Sequence, residues 1–210
     1  MDLHLWTAFV AASTVLLLIP GPTVLMVLSY ALSRGRPVAL ATVAGVALGD
    51  FIAMTASLAG LGSLVLASAT VFAVLKWVGA VYLVYLGIRL FRSAPEARLG
   101  ALDPVAGTGA RQVFGHAVAV TALNPMTIAF FIAFVPQFIA PQSPLLPQFA
   151  VLIATFVGLG ALNALSYALL ADRLRRRIAT PAVLAMLHRL GGGALVAMGV
   201  VTALLRRPAT

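Results

Sequence analysis

The chain holds 210 residues, 62% of them hydrophobic and only 9% charged, with a mean hydropathy of +1.08. A soluble domain cannot bury that much apolar surface, whereas membrane helices can turn it toward lipid, so the composition points to an integral membrane protein. The absence of cysteine excludes disulfides, thiolate metal sites and cysteine nucleophiles, and the net charge of +9 comes with no nucleic-acid-binding module.

Six apolar runs follow one another, at roughly 5–32, 38–62, 69–91, 114–139, 146–171 and 183–205. Each is long enough to cross a hydrocarbon core of about 30 Å at about 1.5 Å per residue. Met1-Asp2-Leu3-His4 lacks the positive start of a cleavable signal, so the first run is expected to persist as a helix. That run is interrupted by Ile19-Pro20-Gly21-Pro22-Thr23. Proline lacks an N–H and clashes with the carbonyl four residues back, so the helix should break there. The fourth run is interrupted in the same way by Asn124-Pro125. Freed backbone groups survive in a membrane only where they face protein or a wet cavity, and paired breaks in two halves point to a transporter's binding site. The sixth run contains Gly191-Gly192-Gly193, which leaves open whether it crosses or re-enters.

The connections alternate in charge. Those at 29–37, 89–113 and 172–189 carry eleven of the fourteen basic residues, while those near 62–70 and 138–148 carry none. By the positive-inside rule the basic connections are cytoplasmic, which places both termini outside, with Arg206 and Arg207 as the dissenting charges. Sliding the chain on itself by about 112 residues sets Leu75-Lys76-Trp77-Val78-Gly79 on Leu187-His188-Arg189-Leu190-Gly191. At similar offsets Gly45 meets Gly158, Asp50 meets Asn163 and Pro22 meets Pro125. The expected architecture is all-α: one transmembrane domain over 1–210, with a repeat over about 1–92, a cytoplasmic linker over about 93–113 and a second repeat over about 114–210. Three helices per repeat make the two halves insert in opposite orientations.

Asp50 is the sharpest chemical signal. It sits mid-run in Gly45-Val46-Ala47-Leu48-Gly49-Asp50, where an acid costs about 2.5–3.5 kcal/mol on insertion scales. It reads as a proton site or an anchor for a substrate ammonium; the bland alternative is a structural hydrogen bond to a broken helix. Gly45 and Gly49 read as a close helix contact. Lys76 either snorkels to water or pairs inward with Asp50 or a substrate carboxylate. His188 and Arg189 are expected to reach the headgroups. Asn124 and Asn163 can serve freed backbone groups or the groups of an amino acid. Thr23 and Thr127 are expected to bond freed carbonyls, Trp6 to anchor at the interface, and Tyr82 and Tyr85 to pack or line the interior. No metal-ligand spacing, serine–histidine pairing or phosphate loop supports an enzyme, a metal site or a cofactor.

These residues resemble the lysine exporter (LysE/RhtB) family of amino-acid exporters over nearly the whole chain. The likeness rests on Pro20-Gly21-Pro22, on Gly45 through Gly49-Asp50, on the Lys76 to Gly87 segment, and on Asn124-Pro125 with Phe130-Phe131 and Pro136-Gln137-Phe138. It implies proton-driven export of amino acids or their derivatives across the bacterial inner membrane, six helices and a homodimer. It assigns the mid-membrane acid to Asp50, the third-helix lysine to Lys76, and the breaks to Pro20, Pro22, Asn124 and Pro125. Met126 departs from the lysine that often follows Asn-Pro in the family. The expected substrate site takes in Pro20, Gly21, Pro22, Thr23, Asn124, Pro125, Lys76 and Asn163 around Asp50. One intramembrane acid suits neutral substrates such as homoserine, threonine or leucine. The alternatives are a metal-ion or small-cation exporter, for which the ligands are sparse, and a non-transporting scaffold, for which Asp50→Asn would be silent.

Overall fold

A computed structural model describes residues 2–19, 21–34, 36–67, 69–93, 109–140, 143–171 and 181–204. Pro20, Asp172, the arginines at 173–177 and at 206–207, and most of the expected 93–113 linker lie outside them, and of Lys76 only the backbone is described. The described residues form eight α-helices and no strand.

The first apolar run is two helices. Asp2 opens α1 (Leu3–Leu18) by accepting a hydrogen bond from the His4 N–H, and Ile19 closes it in an extended conformation. Ile19 precedes a proline, and the ring of that proline excludes the helical region from the residue before it. The chain turns tightly, the Gly21 N–H donating to the Ile19 carbonyl at 2.7 Å, and α2 (Pro22–Arg34) starts on a proline whose missing N–H costs nothing at a first helical position. The two helices meet at 58°. The fourth run repeats the device: α5 (Ala110–Ala122) ends before Asn124, which is extended ahead of Pro125, and α6 (Pro125–Ala133) leaves at 44°. A 3-10 turn over Val135–Phe138 follows.

The remaining helices are unbroken: α3 (Arg36–Ala67), α4 (Ala69–Arg92), α7 (Leu145–Leu169) and α8 (Pro181–Leu204). The connections expected near 29–37 and 62–70 shrink almost to nothing, since α2 reaches Arg34, α3 fills 36–67 and α4 begins at Ala69. The triple glycine of the last run does not interrupt α8. By length and composition three described helices can cross a membrane, and each bent pair can add one more, giving up to five.

Small residues set the closest packing. A Cβ added at Gly45 would stand 2.6 Å from the Ala117 Cβ, and one at Gly49 would stand 2.7 Å from the Thr121 Cβ, so α3 and α5 touch backbone to backbone along the expected glycine pair. Gly87 and Gly192 do the same for α4 and α8, each facing the carbonyl of the other. Phenylalanines from α1, α6, the 3-10 turn and α7 fill one core, with Phe131 and Phe156 edge to face at 4.7 Å. A second core gathers Met26, Val27 and Tyr30 of α2 against Val46, Val113 and Ala117.

Candidate functional site

The break in α1–α2 lies between these two cores, and a cavity of about 40 Å³ opens there. Helices α1, α2, α3, α6 and α7 line it, and its five described polar residues, Thr23, Asp50, Asn124, Thr127 and Asn163, are all positions that the sequence singles out. Gly21 and Thr23 enter from the start of α2, Asn124 from the start of α6, Asp50 from α3 and Asn163 from α7. Both helix breaks thus reach the same small space, although 103 positions separate Pro22 from Pro125 in the chain.

Asp50 is 3% exposed and is the one charged residue in the lining among the described residues. Among the described residues its carboxyl has no hydrogen-bond or ion-pair partner. It fits because Gly160 of α7 carries no side chain: a Cβ there would stand 2.6 Å from Asp50 Oδ2. An acid so buried and unpaired is costly to keep charged, and such residues in membrane segments mark substrate or ion pathways. The structural hydrogen bond weighed for Asp50 is not made within the described residues.

Asn163 takes that structural role instead. Its Nδ2 donates to the Leu17 carbonyl at 2.9 Å, satisfying a group freed where α1 ends. Its Oδ1 has no partner among the described residues. Asn124 caps α6, its Oδ1 accepting from the Met126 N–H at 3.1 Å. That leaves its amide N–H₂ able to donate into the cavity. Thr127 is buried in the lining and bonds no freed carbonyl among the described residues.

Other expected site residues sit elsewhere. Pro22 shapes the break without lining the cavity, and Pro125 faces a shallow apolar groove of about 350 Å³ with Val78, Gly79 and Tyr82 of α4. No described side chain of helix α4, which carries Lys76, lines the central cavity. Tyr82 and Tyr85 stack on each other at 6.1 Å on the exposed face of α4. His188 does not reach outward: both ring nitrogens are buried and unpartnered, while the neighbouring Arg189 is exposed. Trp6, half exposed, donates from Nε1 to Thr155 Oγ1 at 3.1 Å and ties α1 to α7.

Gly160 and Met126 complete the site. Met126 Cε ends 3.5 Å from the place a Cβ on Gly21 would occupy, so this side chain bridges the two breaks. The only sequence signal for Gly160 was its place one turn before Asn163.

Comparison with known proteins shows the family. The family model described as LysE type translocator matches residues 14–206. An uncharacterized membrane protein of Vibrio cholerae is 34% identical over 203 residues, 97% of this chain and 98% of its own. A homoserine/homoserine lactone efflux protein of Salmonella typhimurium is 33% identical over 206 residues, covering 98% of this chain and 99% of its own. A leucine efflux protein of the same organism is 33% identical over 143 residues, 68% of this chain and 66% of its own. No solved structure matches the chain.

Proposed function

Since the chain belongs to the LysE type translocators, we propose that it exports neutral amino acids or close derivatives across the bacterial inner membrane, exchanging them for protons at Asp50. The observation that carries this is the buried, unpartnered Asp50 carboxyl in a cavity onto which both helix breaks open. The names of two relatives, for homoserine/homoserine lactone and leucine efflux, supply the substrate class.

The chemistry of an amino acid suits this lining. Its ammonium pairs with the Asp50 carboxylate. Its carboxylate sits against the positive N-terminal ends of α2 and α6, where N–H groups point outward and the Asn124 amide can donate. A proton on Asp50 removes the charge that holds the ammonium, so proton binding and substrate release are linked. A single acid matches one ammonium and leaves none for a dibasic side chain.

The transport cycle rests on six spans arranged as two inverted three-helix repeats with both termini outside. Three features support that arrangement: the matching breaks of α1–α2 and α5–α6, the packing of α3 on α7, and the packing of α4 on α8. The last two are contacts that a twofold relating the halves maps onto themselves. Rocking of one half against the other then exposes the cavity alternately to each side. Assembly as a homodimer belongs to the same proposal.

The test is efflux from dipeptide-loaded cells, with all released amino acids measured for the unaltered protein and for Asp50→Asn. Faster release of one or a few neutral amino acids, abolished in the variant, is the expected result. Equal release from the variant would remove Asp50 from the mechanism, and release no faster than from vector-only cells would remove amino acids as the cargo.

A further inference from the structure

We infer that Met126 sets the size of the substrate side chain: its thioether arm stands in the space that an aliphatic side chain of the transported amino acid takes over. This rests on the export reading above and narrows its substrate class. The cavity of about 40 Å³ holds a few waters, each needing about 10–15 Å³, but no amino acid. Something in the lining must move before substrate enters.

Most of the lining is held. Asn163 is bonded to the Leu17 carbonyl, and Asn124 Oδ1 is engaged by the Met126 N–H. The Asp50 carboxyl already rests against Gly160 and has no room to withdraw further toward α7. Val24, Val27 and Val46 are buried and β-branched, which leaves each essentially one rotamer on a helix. Met126 differs. It is unbranched, has more rotatable bonds than any other lining side chain, and is only partly buried. Its tip lies over the bare backbone of Gly21, in ordinary contact range and with no polar bond to break.

Swinging this arm aside opens space between the starts of α2 and α6, beside Asp50. The cavity there is lined by apolar Leu16, Ile19 and Val24, with the uncharged hydroxyls of Thr23 and Thr127 beside them. With Asp50 occupied by the ammonium, the described lining holds no second charged group to pair with a charged side chain. The favoured cargo is therefore a neutral amino acid with an aliphatic side chain, and the volume that Met126 vacates limits its length.

The experiment uses the full chain in proteoliposomes loaded with an equimolar mixture of alanine, homoserine, leucine and lysine, and reads ratios of initial efflux rates. A ratio does not depend on how much of a variant folds. One methylene in an apolar pocket changes discrimination by about 10–200-fold, so Met126→Ala should raise the leucine-to-alanine ratio by at least about 10-fold. Met126→Phe should lower the same ratio, and Met126→Leu should leave it near that of the unaltered protein. Sustained efflux with the ratio unmoved in both Met126→Ala and Met126→Phe would overturn the inference while leaving the export reading standing. Absence of amino-acid efflux from the unaltered protein would overturn the export reading, and the inference with it.

Discussion

Asp50 Oδ2 on α3 lies 2.6 Å from the point where a Cβ on Gly160 of α7 would stand. Real Cβ contacts are essentially never so short, so any side chain at 160 displaces the carboxyl from its seat. The displaced group is the end of a side chain, not backbone, so Gly160→Ala is expected to fold. It should nevertheless lose most of the efflux that Asp50→Asn loses. Gly158→Ala is the matched control, because a Cβ there meets nothing within 4 Å. Efflux per amount of membrane-inserted protein decides it: equal rates for the two alanine variants would show that the seat is unimportant.

The bond from Asn163 to the Leu17 carbonyl spans 146 positions of sequence and secures the end of α1 against α7. Asn163→Leu leaves that carbonyl without its donor, and an unsatisfied buried polar group costs about 1–3 kcal/mol. The expected result is a lower thermal midpoint in detergent, by roughly 2–4 °C per kcal/mol at this chain length. An unchanged midpoint would mean that water replaces the amide.

Gly87 and Gly192 let α4 and α8 meet at their backbones. A Cβ on Gly87 would stand 2.6 Å from the Gly192 carbonyl oxygen, a contact that only a shift of the helices can relieve. Gly87→Ala should destabilise by about 1–3 kcal/mol, the usual cost of overpacking. Gly193→Ala, one residue along in open space, should be tolerated or slightly stabilising, since alanine is the better helix former. Folded yield by size-exclusion chromatography separates the two.

Gln148 is 2% exposed and holds the turn before α7. Its Oε1 accepts from the Ala140 N–H at 2.8 Å, and its Nε2 donates to the carbonyls of Ala140, Ser143 and Pro144 at 3.0–3.1 Å. Gln148→Leu removes all of these bonds at once. Limited proteolysis should then cleave between residues 139 and 145 much faster than in the unaltered protein, while cleavage elsewhere stays the same.

What the sequence determined by itself are the properties carried by local chemistry. A proline in the interior of an apolar run breaks the helix there, so both bends were legible from Ile19 to Thr23 and from Asn124-Pro125. An acid in an apolar run must face the protein interior, so Asp50 was legible as a site. The glycine pair at 45 and 49 announced a close helix contact because a missing side chain has few other uses there. The tertiary structure decided which of these features meet. It placed both breaks, Asp50 and Asn163 around one cavity and left Pro125 and the described side chains of helix α4 outside its lining. It assigned Asn163 to the end of α1, Gln148 to the turn before α7, and the vacancy at Gly160 to the Asp50 carboxyl. Such roles depend on which helix crosses which and at what height. That follows from the packing of whole apolar faces, where no single residue type leaves a mark, and it is why a lone glycine in α7 carried so little signal until α3 was seen against it.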